Sequence, residues 1–275
     1  MRNLAFTLAE VFSPNCAGSG KVAFTLAEVF SPNCAGVGKV AFTLAEVLVT
    51  LGIVGIVAAL VFPTMISKYN ERVLIQQLKQ TYSVFSQAYM LAVKDNGVIE
   101  DWDIGMSDTQ DGSQKLYDKF KPYLKKVKDC NLNSGCFYNG VYKNLSGAAF
   151  SWQPYDYVYY SRGVLANGVP FIFWSAGSGC NTNRSVSGNG IYSRWCGSIY
   201  VDVNGNKGPN QAGRDYHKFA ITTRGVYPVG LQDYTERNTY CQFNGKNPAN
   251  GDSCTAWALL RGNMDYLRRD ISNEY

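Results

Sequence analysis

Six clustered cysteines, a single histidine, an alternating Asp/Asn run and one isolated glutamate are the side chains whose type and spacing could do chemistry. Eight cysteines occur in 275 residues. Cys16 and Cys34 belong to a repeated N-terminal segment, and the other six are neighbours along the chain: Cys130 with Cys136, Cys180 with Cys196, Cys241 with Cys254. An even set of six suits three disulfides in an oxidising compartment, with fifteen connectivities open. Pairing of neighbours would close three short loops. Zinc is the rival reading, but it wants cysteines paired two apart, and none are so spaced.

Asp202, Asn204 and Asn206 alternate oxygen donors as the start of a calcium loop does. Lys207 at the sixth position and the lack of an acidic residue at the twelfth depart from the EF-hand pattern, so the same residues also read as an Asx/Gly turn. His217 follows Arg214-Asp215-Tyr216 and has no neighbouring nucleophile; it is expected at the surface or at a sheet edge. Gly177-Ser178-Gly179-Cys180 lacks the strand-to-helix setting of a nucleotide loop and reads as a turn. With no acid–base or nucleophile constellation, no enzyme is expected.

Glu46 is the one charge between Lys39 and Lys68, inside AFTLAEVLVTLGIVGIVAALVFPTMI. From Phe42 to Phe62 that run has 21 residues. As a helix they reach about 31 Å, enough to cross the hydrocarbon core of a bilayer. A carboxylate in such a run is costly without a cationic partner, which makes Glu46 a functional candidate. A secretory signal would have a shorter apolar core and a small-x-small site after it, and Ala58-Ala59-Leu60-Val61-Phe62 is a poor one.

Lys39-Val40-Ala41 followed by Phe42-Thr43-Leu44-Ala45-Glu46 and an apolar helix resembles the prepilin-type cleavage and methylation motif of type IV pilins and type II secretion pseudopilins. The resemblance implies a filament subunit cut by a prepilin peptidase between Ala41 and Phe42 and methylated on the new amine. It implies that Glu46 pairs with an N-terminus during assembly, and that Gly55 and Pro63 fall where the helix loosens in the filament. Ala41 stands where that family usually has Gly. The implied partners are other pilin or pseudopilin subunits, the peptidase and an inner-membrane assembly platform. The implied location is the inner membrane, single-pass, with the C-terminal domain in the periplasm or on a surface pilus. The same likeness brings in calcium, held by some major pseudopilins in a loop after the sheet, and a Cys241–Cys254 bridge pinning the C-terminal loop, as a disulfide does in many pilins.

Residues 5 to 40 are two copies of an 18-residue unit differing only at Ser19 and Val37, and a third copy begins at Ala41. Pro14 and Pro32 interrupt units too short to stack, so residues 1–41 read as a leader with an expanded repeat. Residues 42–66 read as a transmembrane or filament-core helix and 67–275 as one extracytoplasmic domain. Beyond Pro63, Ile75, Leu78, Tyr82, Phe85 and Tyr89 recur at helical spacing, so the helix is expected to run to Asp95, capped by Gly97. Leu116, Phe120, Leu124 and Val127 suggest two short helical pieces broken at Pro122. Asn167-Gly168 marks a hairpin, and alternation around Val201 and Ile221 adds strands.

The expected fold is therefore α+β and pilin-like: a long N-terminal helix, half membrane-spanning and half amphipathic, on three or four antiparallel strands with disulfide-bonded loops. The net charge of +5 is too mild to argue nucleic-acid binding, and the lysines from Lys115 to Lys128 read as a solvated face. The alternative is a single-span anchored domain binding sugar or DNA through an exposed aromatic surface of Trp152, Tyr155, Tyr157, Tyr159, Tyr160 and Trp174.

Overall fold

The computed structural model describes residues 43–271 and 274, apart from 206 and 236. Ala41, Phe42 and Asn206, and with them the leader, the cleavage site and one proposed calcium ligand, lie outside the described residues. The chain divides into two units, 1–56 and 57–275.

In the first unit, residues 44–56 are helical and exposed. They begin α1, a single α-helix over Leu44–Asn96 that contains Pro63. Its apolar window is long and apolar enough to cross a membrane, and none of that window is buried.

In the second unit the same helix becomes amphipathic. Ile75, Leu78, Thr81, Phe85, Ala88 and Ala92 are buried at spacings of three and four, with Tyr89 beside them. Gly97 follows at φ 77°. The buried stripe lies on a six-stranded antiparallel meander: β1 (Lys126–Asn131), β2 (Ser161–Leu165), β3 (Pro170–Ser175), β4 (Trp195–Asp202), β5 (Tyr216–Thr222) and β6 (Gly225–Pro228), in sheet order 1 to 6. Phe85 meets Phe171 and Phe173 edge-on, with centroids at 5.6 and 5.9 Å. A second helix, α2 (Gln110–Phe120), joins that layer. It lies so close that a Cβ on Gly197 would stand 2.5 Å from Trp174 O and 2.6 Å from Leu116 Cδ2.

The other face of the sheet is covered too. Phe150, Trp152, Tyr157 and Tyr160, from the long loop between β1 and β2, pack with Ile172, Tyr200 and Tyr216. Tyr160 is buried, while Trp152, Tyr155, Tyr157, Tyr159 and Trp174 are half-buried. These rings form a second core layer, which corrects the expectation of an open aromatic surface. Burial on both faces explains why β4 is buried throughout instead of at alternate positions. Two further expectations change. Val127 sits in β1, because past Pro122 the backbone of 126–131 pairs with β2. Six strands form where three or four are expected, since at the edges β1 is polar and β6 is four residues long and glycine-led.

A third helix, α3 (Cys254–Arg261), closes the chain against β5 and β6, its Ala256 N–H donating to Val229 O at 3.0 Å. Disulfides join Cys130–Cys136, Cys180–Cys196 and Cys241–Cys254.

Candidate functional site

The N-terminus of α1 is built by Thr43-Leu44-Ala45-Glu46. The Glu46 carboxylate accepts from Thr43 N at 2.8 Å and Thr43 Oγ1 at 2.9 Å, and Glu46 N donates back to Thr43 Oγ1 at 3.2 Å. This is a reciprocal capping box, Thr at the cap and Glu three residues on. The motif T-x-x-E was readable in the sequence and gives Glu46 a local partner. Further along, nothing lies within 4 Å of where a Gly55 Cβ would be, and α1 continues through Pro63, which cannot donate to the helix ladder.

A second polar centre lies where β4 and β5 end together. Asp202 and Tyr216 are register partners, and Asp202 and Asp215 are both buried completely. Tyr142 donates to Asp202 Oδ2 at 2.6 Å. Asp215 accepts from Asn204 Nδ2 and Asn210 N, each at 2.8 Å, and from Gln211 N at 2.5 Å. Burial, and then the nearby Asp215 charge, hold Asp202 well above the usual carboxylate range; burial also raises Asp215. The Asn204 and Gly205 amides lie on the Asp202 side and partly oppose this shift. Even so, among the described residues Oδ1 of Asp202, Oδ1 of Asn204 and Oδ1 of Asn210 are buried without a hydrogen-bond donor.

Three donorless oxygens beside two buried carboxylates fit a hard cation, which takes oxygen ligands only. The set differs from the alternating one read in the sequence. Asp202 and Asn204 stay, while Asn210 and Asp215 enter from across the turn, along with Tyr142 from 60 residues away in sequence. Among the described residues no three His, Cys, Asp or Glu side chains cluster as a metal site, and the donor set here is two carboxylates and two amides.

His217 is buried in β5, not at the surface or an edge, because it pairs with Val201 of β4 and Thr255 of α3 packs on it. Its Nε2 faces Arg214 O at 3.3 Å and its Nδ1 faces Thr255 Oγ1 at 3.4 Å. The carbonyl fixes the proton on Nε2, and burial pushes the imidazole down to about 4. Arg162 carried no signal in the sequence, yet it is 1% exposed. It donates to Pro154 O at 2.8 Å, Tyr160 O at 2.9 Å, Leu132 O at 3.2 Å and Tyr157 O, tying the aromatic layer to β2. Of the basic run, Lys115, Lys121 and Lys126 pair with Asp103, Asp111 or Asp129.

A family of unknown function, DUF6613, matches residues 64–162, from the middle of α1 into β2. No curated protein and no solved structure matches the chain.

Proposed function

We propose that this chain is a filament subunit of the type IV pilin or type II pseudopilin kind. A prepilin peptidase cuts it between Ala41 and Phe42, residues 42–62 hold it in the inner membrane, and assembly draws the helix into a polymer of like subunits. The observation that carries this reading is the division of α1: 44–66 expose apolar side chains all round, and 75–92 are core under an antiparallel sheet. Apolar surface of that extent needs lipid or other helices to cover it.

Glu46 sets register in this reading by meeting the methylated amine of a neighbour. Intact mass of membrane-extracted protein should give a chain starting at methylated Phe42; a chain still carrying Met1 refutes the processing. Glu46→Ala and Glu46→Gln separate the two roles of the carboxylate. Gln keeps an acceptor for Thr43 and loses the charge. Both variants should insert, and both should fall well below wild type in sheared filament fraction. Wild-type filament from Glu46→Gln would assign Glu46 to capping alone.

We further propose that Asp202, Asn204, Asn210 and Asp215 hold a calcium ion. The donorless Oδ1 atoms support this; the ion would neutralise two buried carboxylates and lock the β4–β5 turn.

A further inference from the structure

Around α1 between residues 68 and 77, cations from three parts of the second unit stand on different faces of the helix. Lys68 and Arg72 stand exposed on the helix, one turn apart. A groove of about 300 Å³ beside Asn70, Val73 and Gln77 is lined on its far side by Lys207 and Arg214, both exposed. Arg268 reaches the same stretch from the C-terminal segment and donates to Glu71 at 2.8 Å. The acidic groups there are already engaged: Glu71 and Asp265 face Arg268, and Glu274 faces Arg269. Among the described residues, Lys68, Arg72, Lys207 and Arg214 make no ion pair. Four cations are thus left over within about 14 Å of helix rise.

Their neighbours point to the partner. Met65, Ile66 and Tyr69 are exposed immediately before and among them, closing the apolar run. An exposed tyrosine beside lysine and arginine at the end of an apolar helix has the composition of a membrane–water boundary. We propose that Lys68, Arg72, Lys207 and Arg214 form a collar that binds the phosphates of anionic lipid, so the domain rests on the bilayer until the subunit is extracted. The proposal rests on reading 42–62 as membrane-spanning. A free anionic protein surface would match the charge but not the adjacent exposed Met65, Ile66 and Tyr69. Each cation near an anionic bilayer should strengthen contact roughly fivefold at low salt, falling within about one Debye length.

The test is hydrogen exchange of the full chain in nanodiscs of phosphatidylcholine alone and with about one-third phosphatidylglycerol. Amides of 68–77 and 207–214 should exchange at least tenfold more slowly in the anionic discs. That difference should vanish at 0.5 M salt and in K68Q/R72Q/K207Q/R214Q, whose disulfides are checked by peptide mapping. Equal exchange in the two discs, or an unchanged difference in the variant, overturns the collar. Protection of 44–62 in both discs shows that the membrane reading stands apart from that failure. Free exchange of 44–62 overturns both.

Discussion

If calcium occupies the end of β4, exchanging Asp202 for Asn should remove calcium's effect on stability without unfolding the domain. The buried donor set offers two carboxylates and two amides, with Tyr142 already on Asp202 Oδ2. So low a charge count suggests the weak extracellular class, with Kd about 10⁻⁴–10⁻³ M. At about 10 mM calcium the stabilisation is then roughly 1.4–2.7 kcal/mol by mass action. For a unit of this size that shifts Tm by about 3–10 °C. The pH sign follows from Asp202 and Asp215, whose folded pKa values lie above the unfolded ones. Without metal the folded state keeps a proton that the unfolded chain has released, so stability falls as pH rises from about 4 toward the raised values. Calcium replaces that proton, and its effect should be larger at pH 7.5 than at pH 5. Near-ultraviolet circular dichroism of the full chain in micelles, with chelator against calcium, measures both. Asp202→Asn should melt at or above wild type in chelator and show no calcium shift. A wild-type shift under 1 °C, or a full shift in Asp202→Asn, would refute the reasoning.

Three further outcomes concern the domain itself. His217 is pushed down to about 4 by burial, so the unfolded chain binds a proton first; stability should be lost as pH falls from about 6.5 to 4, by up to about 3 kcal/mol, and His217→Gln should flatten that limb in urea titrations. Arg162→Met leaves the carbonyls of Leu132, Pro154, Tyr157 and Tyr160 without this donor and should cost about 3–5 kcal/mol of unfolding free energy in urea titrations, with Arg162→Lys recovering only part. Replacing Cys241 and Cys254 together by Ser opens a loop of 13-residue separation and should cost about 3 kcal/mol; no change in Tm would show that the C-terminal helix is held by packing alone.

Periodicity made the helix legible. Ile75, Leu78, Phe85 and Tyr89 mark one face whatever lies opposite, and the expected end at Asp95 differs from Asn96 by one residue. Asn167-Gly168 was as local: Gly168 takes φ 84° and Leu165 N donates to Val169 O at 2.9 Å. What escaped was non-local. Lys126–Asn131 is polar, and only pairing with β2 makes it a strand. Covering the second sheet face with residues 150–160 buried rings that the sequence left outside, whereas His217 is buried against Thr255 of α3. Asp202 announced itself by spacing, but Tyr142 is joined to it, Asp215 to Asn204 and Asn210 to Asp215 only by folding.

The capping box changes what Glu46 contributes in the proposed filament. An unpaired carboxylate in a membrane helix costs up to about 3.5 kcal/mol at the centre and less near an end. With Thr43 N and Oγ1 both donating to it, Glu46 is partly satisfied before any neighbour arrives. Meeting a neighbour's amine is then an exchange of hydrogen-bond partners, and its net gain is a fraction of the gross attraction between the two charges. Helix–helix packing along 44–66 must then supply most of the contact in the polymer, and contacts of different register would pack to a similar extent. A single charged pair at the helix start distinguishes those registers by leaving a charge uncompensated in the wrong ones. In the proposed filament Glu46 would therefore act on the order of subunits more than on the strength of their association.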